Sequence, residues 1–205
     1  MTPDVVGVTA HLTPASDRPR VGYQGEPGAF SEQAIVTHWA GAAEAVSLPT
    51  FGAVADAVAG GTVSHGLLPV ENTIVGVVHE AVLALGSRPL AVVGEVRLPI
   101  RQCLLALPGS TLDGLTRAES HPVALAQCGR FLRAHPHIEV RAVYDTAAAA
   151  RAVAASGDRT RAAIAGAAAA THYGLVVIAE DVHDTDNNTT RFVIVTRDDT
   201  SAPRW

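Results

Sequence analysis

The chain has 205 residues, 48% hydrophobic and 17% charged, enough to bury a sizeable core and too apolar to stay disordered. Its formal net charge of -5 removes the overall attraction that phosphate-backbone binders use, so no nucleic-acid partner is expected, and an anion site must draw on local arginines and helix N-termini. No uninterrupted apolar run is long enough for a membrane span. The two cysteines, Cys103 and Cys128, lie far apart with no leader-like segment before them, so a reduced, cytoplasmic protein is expected.

In chain order, residues 1–19, rich in Thr, Pro and Asp, read as a loose extension. "RVGYQG" then predicts a strand and turn, and "AFSEQAIVTHWA" a helix with apolar residues at helical spacing. "HGLLPV" (65–70) reads as a buried strand and "TIVGVVHEAVLAL" (73–85) as the helix after it. "PLAVVGEVRLPIRQCLLAL" supplies two strands around Pro99, because it is too long and interrupted for one. "SHPVALAQCGRFLRAH" (120–135) predicts a single helix with Pro122 in its first turn and Ser120 or His121 at the cap. "EVRAVY" is a strand, and "DTAAAARAVAASG" a helix capped by Asp145 or Thr146 and ended by Gly157. "RAAIAG" and "LVVIA" are short strands flanking an alanine-rich helix that ends at Tyr173-Gly174, and "RFVIVT" closes the chain's regular structure.

This alternation argues an α/β protein with mainly parallel sheets. One sheet would satisfy it. Two α/β lobes are preferred, because "VVGEVRLPIRQCLLAL" is extended enough to cross between them. The expected division is 20–94 plus 185–205 for one lobe and 95–184 for the other. Ligand sites in such folds gather at strand ends and between lobes.

Four polar clusters follow a strand or open a helix. "GEPGAFSEQ" combines a Pro-Gly turn with a helix N-terminus suited to an anion; Gly22, Gly25 and Gly28 do not have dinucleotide-fingerprint spacing. "PVENT" sets Glu71, Asn72 and Thr73 directly after a buried strand, where they either orient a polar substrate or cap a helix. Ser120 and Gln127 stand about two helical turns apart and fit one face, and Thr146 opens another helix. In "NNTTRFVIV", Asn188, Thr190 and Phe192 share one face if the strand starts early, with Thr189 and Arg191 on the other. A bend at the strand mouth would instead bring Thr190 and Arg191 into one pocket. The nine histidines form no metal pattern: "HPH" lacks a partner set and His183 stands alone near two aspartates, so no metal ligand is assigned. No GxSxG or CxxC occurs, and the cysteines read as small buried hydrophobes.

Taken together, "GYQGEPGAFSEQA", "LLPVENTIVGVV", "GEVRLPIRQCLLALPG", "SHPVALAQCGRFL", "YDTAAAARAVA", "AAIAGAAAATHYGLVVIAEDV" and "NNTTRFVIV" resemble the prephenate dehydratase family, in the family's order over about residues 20 to 196. The resemblance implies two α/β lobes of the periplasmic-binding-protein type with the active site in the interlobe cleft, usually in a homodimer. It implies loss of CO2 and water from prephenate to give phenylpyruvate, in phenylalanine biosynthesis, with no cofactor. It assigns Thr190, first residue of the Thr-Arg-Phe signature, to the departing hydroxyl and Arg191 to a substrate carboxylate. Glu71, Asn72, Thr73, Ser120, Gln127, Thr146 and Asn188 are carried over as substrate-binding, with helix ends near Ala29, Phe30 and Thr146 for the side-chain carboxylate.

The ligand implied is a small dicarboxylate, prephenate or its amino analogue arogenate. Val123, Gln102 and Val77 depart from the residues frequent in the family, which touches hydrogen bonding and substrate choice. The chain ends soon after "VIV", so the family's phenylalanine-sensing ACT domain, and inhibition through it, are expected to be absent. Two other readings are a prephenate decarboxylase-like enzyme of specialised metabolism, disfavoured by the Thr-Arg-Phe arrangement, and a non-catalytic two-lobed ligand-binding module.

Overall fold

The computed structural model describes residues 18–198, so all but Arg18 and Pro19 of the expected N-terminal extension lies outside the described residues. Strand β1 (Arg20–Gln24) and helix α1 (Phe30–His38) stand where predicted. Strand β2 (Glu44–Leu48) and helix α2 (Phe51–Ala59) were not predicted. The signal for α2 was present: Thr50 caps it by accepting the Ala53 N–H, and Gly60 ends it. Strand β3 (His65–Asn72) runs on through Glu71 and Asn72.

The helix expected over 73–85 is corrected. Residues 73–78 turn back into β4 (Gly76–Val77), paired with Glu71 and Asn72, and α3 (His79–Gly86) starts only afterwards. β-Branched residues crowd this stretch, and Gly76 takes a φ of 78° that suits a hairpin. Strands β5 (Leu90–Pro99) and β6 (Cys103–Ala106) flank the residues after Pro99 as expected.

A 3-10 turn at Leu112–Gly114 leads into β7 (Arg117–Ser120), which was also not predicted. The single helix over 120–135 is in fact two short ones, α4 (Pro122–Gln127) and α5 (Gly129–Ala134), interrupted at Cys128. His121, not Ser120, caps α4, its Nδ1 accepting the Val123 N–H. Strand β8 (Glu139–Ala142), α6 (Thr146–Ser156), β9 (Arg161–Ala165), α7 (Ala167–Tyr173), β10 (Val176–Ala179) and β11 (Thr189–Arg197) complete the order. Asp145 caps α6, and Gly157 and Gly174 end α6 and α7 with left-handed backbone.

These elements form two α/β lobes. In the first, the strand order is β2-β1-β3-β11-β5 with β4 attached to β3; in the second it is β10-β6-β9-β7-β8. The sheets are mixed rather than mainly parallel. β1 is parallel to β2 and β3, and β7 to β8 and β9, but β11 runs against both β3 and β5, and β6 against β9 and β10. The reversal follows from β11 re-entering the first sheet from the second lobe. β5 pairs with β11 from Leu90 opposite Arg197 to Pro99 opposite Thr189, with one irregularity at Val93, so the first sheet continues past residue 94 and the crossing falls after Pro99. There the Ile100 N–H donates to the Asn188 carbonyl at 2.8 Å, tying the two crossing segments side by side.

The central strands of each sheet are buried on both faces, and strand alternation sorts the two cores. On β11, Phe192 and Ile194 pack with Ala34 and Ile35 of α1, while Val193 and Val195 pack with Val54, Val58 and Ala81 of α2 and α3. On β9, Ala163 and Ala165 meet α6 and α7, and Ala162 and Ile164 meet Leu125 and Phe131 of α4 and α5. Small residues bring the lobes together. A Cβ at Gly28, whose φ is 85°, would sit 2.8 Å from the Ala169 Cα, and one at Gly166 3.0 Å from the Phe30 ring.

Candidate active site

Between the lobes lies a cleft of about 240 Å³. One wall comes from the first lobe: Phe30 and Ser31 at the start of α1, Pro69 and Asn72 on β3, Thr190 and Phe192 on β11, and Val75 and Val78 after β3. The other comes from the second lobe: His121, Val123, Ala124 and Gln127 around α4, and Asp145 and Thr146 at the start of α6. Ile100 and Gln102, on the crossing segment, close the space between them.

A one-residue irregularity decides which polar side chains enter. Along β11 the pairing runs Phe192 opposite Pro69, then Arg191 opposite Glu71 and Thr190 opposite Asn72, skipping Val70. This extra residue is a β-bulge, and it shifts the facing of everything beyond it by one position. With unbroken alternation Glu71 would share the face of Pro69. The bulge turns Glu71 away and delivers Asn72 to the cleft beside Thr190.

The hydrogen bonds around Asn72 have a direction set by the backbone. Its Oδ1 accepts the N–H groups of Ile74 (2.8 Å) and Val75 (3.1 Å). Since a backbone N–H can only donate, the amide is fixed with Nδ2 toward Asn188 Oδ1 (2.8 Å) and Thr190 Oγ1 (3.0 Å). Asn188 must then offer its own Nδ2 to Gln127 Oε1, at 3.0 Å. Two consequences follow. Thr190 has one lone pair occupied, which leaves its O–H as the donor it can offer to a ligand in the cleft. Gln127 is left with its NH2 group as the end that can donate to a ligand. Asn72 and Asn188 are 7% and 1% exposed and have most of their capacity spent on this relay, so they position the groups that meet a ligand.

The sequence-assigned residues therefore separate. Thr190, Asn72, Gln127, Thr146 and Phe30 line the cleft. Asn188 lies just beneath it, and Ala29 is buried at the α1 cap. Thr73 is a strap at the rim: its hydroxyl donates to the Asn187 carbonyl and accepts the Thr189 N–H. Ser120, fully buried, donates to the Ile164 carbonyl at 2.5 Å inside the second lobe. Arg191 and Glu71 are corrected outright. They face each other on the opposite side of the sheet, Nε to Oε2 at 3.2 Å, with Glu95 3.6 Å from the same guanidinium. Of the two facings open for Thr190 and Arg191, strand alternation prevails.

Gln102, His121, Asp145 and Ser31 are lining residues that received no ligand role from the sequence. Two of them were legible only as helix caps, and Gln102 only as a departure from the family pattern. Burial raises the Asp145 carboxyl above its usual range, partly countered by its bonds to the α6 backbone. Among the described residues no group of three His, Cys, Asp or Glu side chains is arranged to hold a metal ion, and no helix is long and apolar enough to cross a membrane.

The family model for prephenate dehydratase matches residues 21–200. The chain belongs to the prephenate dehydratase family. Among curated relatives, "Arogenate dehydratase 5, chloroplastic" of Arabidopsis thaliana is 42% identical over 87% of this chain and 42% of its own length. "Arogenate dehydratase/prephenate dehydratase 6, chloroplastic" of the same plant is 41% identical over 87% of this chain and 43% of its own. The chain thus spans less than half the length of these relatives. Among solved structures, the prephenate dehydratase of Arthrobacter aurescens in complex with L-Phe superposes with a TM-score of 0.80 at 28% identity, covering 87% of this chain and 60% of that one. GqqA, described as a novel type of quorum quenching acylase, superposes with a TM-score of 0.81 at 34% identity, covering 90% and 66%.

Proposed function

We propose that this member of the prephenate dehydratase family catalyses decarboxylating dehydration, converting prephenate to phenylpyruvate, carbon dioxide and water, or acting likewise on arogenate. The observation that carries the reading is the Thr190 hydroxyl, held at the cleft face with Asn72 Nδ2 on its acceptor side at 3.0 Å. In the reaction the bond from the ring to its carboxylate breaks, and that electron pair becomes a ring double bond. The bond from the ring to the hydroxyl breaks in turn, and the oxygen leaves with its electron pair. Hydroxide is a poor leaving group, so a donor aimed at this oxygen lowers the barrier. A threonine hydroxyl is a weak acid, so Thr190 serves as donor and relay, with solvent supplying the net proton.

Val75, Val78, Ile100, Val123 and Phe192 give the cleft an apolar wall. A ring carboxylate against that wall loses hydration that neutral CO2 does not need, which favours its departure. The α1 N-terminus at Phe30 and Ser31 supplies backbone N–H groups for the side-chain carboxylate.

The test is incubation with prephenate. An aromatic 2-keto acid product supports the proposal; a non-aromatic decarboxylated product indicates the decarboxylase reading, and unchanged prephenate the ligand-binding one. We also propose a homodimer in a reducing, cytoplasmic setting. The exposed Val92 and Val93 on edge strand β5 and the two unpaired buried cysteines support this; light scattering on the purified protein checks the dimer.

A further inference from the structure

We infer that Asp145 and Gln102 fit this cleft to a substrate bearing an ammonium on its side chain, a cyclohexadienyl 2-amino acid, in preference to the 2-keto acid of the same skeleton. The inference rests on the dehydratase reading for the skeleton of the ligand, but not for the preference itself.

The charge of the lining is the first observation. Asp145 and His121 are the only ionisable side chains among Asp, Glu, His and Arg that line the cleft in the described residues. All fifteen lysine and arginine positions of the chain are arginines, and none of those among the described residues lines it. Arg191, assigned to a carboxylate from the sequence, is engaged by Glu71 and Glu95 on the far side of the sheet. Among the described residues a keto-acid dianion would meet no fixed cation here, only a resident carboxylate. An amino acid carries one negative charge fewer and places a cation beside its carboxylate.

The two helix ends in the cleft are also unlike each other. At α6, Asp145 Oδ1 accepts the Ala148 N–H at 2.8 Å, so a carboxylate already occupies that N-terminus and a substrate carboxylate there would be repelled. At α1 the cap residue Ala29 has no side-chain acceptor, and the carboxylate in the first turn, Glu32, bonds the Gly28 N–H ahead of the helix rather than capping the helix itself. The substrate carboxylate therefore belongs at α1 and its ammonium toward Asp145. Of the other charged groups near Asp145, Glu26 is held by Tyr144 (2.8 Å) and Arg151 (3.2 Å), and His121 has its Nδ1 on the Val123 N–H.

Gln102 is the independent observation. Its side chain lines the cleft, the residue is only 2% exposed, and its Oε1 is buried with no hydrogen-bond partner. Its backbone is fixed from both sides, the N–H donating to His183 Nδ1 and the carbonyl accepting the Val182 N–H. A buried acceptor without a donor is costly, and a ligand that brings one gains what an analogue lacking it cannot. An ammonium brings three N–H donors, whereas a keto oxygen brings none.

The stable product pair L-phenylalanine and phenylpyruvate, which differ at that one carbon, tests this by calorimetric binding to the intact chain. The wild-type protein is expected to bind L-phenylalanine at least tenfold more tightly. Asp145→Asn keeps a side chain that caps helices well, Gln102→Met keeps the volume, and each should cut that ratio at least tenfold. Equal binding of the two ligands by the wild type, binding of neither, or an unchanged ratio in both variants overturns the inference. An equal loss on both ligands in Gln102→Met overturns the part assigned to Gln102. If the expected preference is found but neither prephenate nor arogenate is turned over, the dehydratase reading falls and this one stands.

Discussion

The two faces of β11 at its entrance carry neighbouring residues into different chemistry. On the cleft face, Thr190 is 8% exposed and held by a relay of amides. On the other face, Arg191 is a third exposed and sits between two carboxylates at the surface. Sequence adjacency made them look like one functional unit, but a strand sends successive side chains to opposite sides. The opposing strand teaches the same lesson in reverse. In β3 the bulge at Val70 exchanges the roles of Glu71 and Asn72, so the ionisable neighbour leaves the cleft and the amide enters.

That comparison breaks most sharply if the bulge is removed. Inserting one alanine between Arg191 and Phe192 should give Val70 a partner, restore unbroken alternation on both strands, bring Glu71 and Arg191 to the cleft face and turn Asn72 and Thr190 out. Turnover should then fall at least as far as for a lost acid–base group, roughly 10²- to 10⁴-fold. A folded insertion variant with ordinary turnover would show that the bulge does not select the cleft residues. Thr190→Val should fall within the same range with thermal stability nearly intact, read from kcat alongside a melting curve.

Asn72→Leu sharpens the comparison by separating relay from donor. It leaves the hydroxyl in place but strips Asn188, Ile74 and Val75 of their partner. A loss of about 1–3 kcal/mol in denaturant unfolding is expected, together with a drop in kcat that exceeds any rise in KM. A change confined to KM would mean that Asn72 contacts substrate directly.

The two lobes can be compared through one buried acid in each. Tyr23 lies in the first lobe's core and Cys128 in the second's. Burial raises the Tyr23 phenol, and pushes the Cys128 thiol up to about 12 from 9.0. Above pH 9 the unfolded chain releases the thiol proton while the native fold keeps it, so stability should decline as pH rises, by up to about 1.4 kcal/mol per pH unit for each group. Stability that is flat between pH 9 and 11 would contradict this, as would rapid alkylation of Cys128 in the native protein at pH 8. The smallest effect belongs to the outer face. Arg191→Lys should cost about 1 kcal/mol or less, as for exposed ion pairs, and leave KM unchanged, whereas a substrate-binding arginine would show a raised KM.

Much of the fold was legible because its signals are local. Caps, terminating glycines and alternating apolar residues marked α1, α6, α7, β9 and β11, and the clustered polar residues marked the cleft's neighbourhood. Where a signal was weak or misread the reading failed. β2 is short and half exposed, and the β-branched stretch after Asn72, helical by its apolar spacing, folds back as a hairpin. Family resemblance placed Thr190, Gln127 and Thr146 at the cleft. It also placed Arg191 and Glu71 there, because a motif records which residues recur and not which way they point.

By itself, then, the amino-acid order determined the α/β alternation, the ends of α6 and α7 and the family, since hydrophobic period, capping and glycine geometry act over a few residues. Tertiary structure alone decided the mixed pairing of the sheets, the crossing after Pro99, and the side of the sheet on which each polar residue stands. It also left the Gln102 Oε1 buried without a hydrogen-bond partner, on a residue that lines the cleft. The physical reason is range. Facing at a strand end depends on register with a partner more than a hundred residues away, as between Thr190 and Asn72, and one extra residue in either strand inverts it.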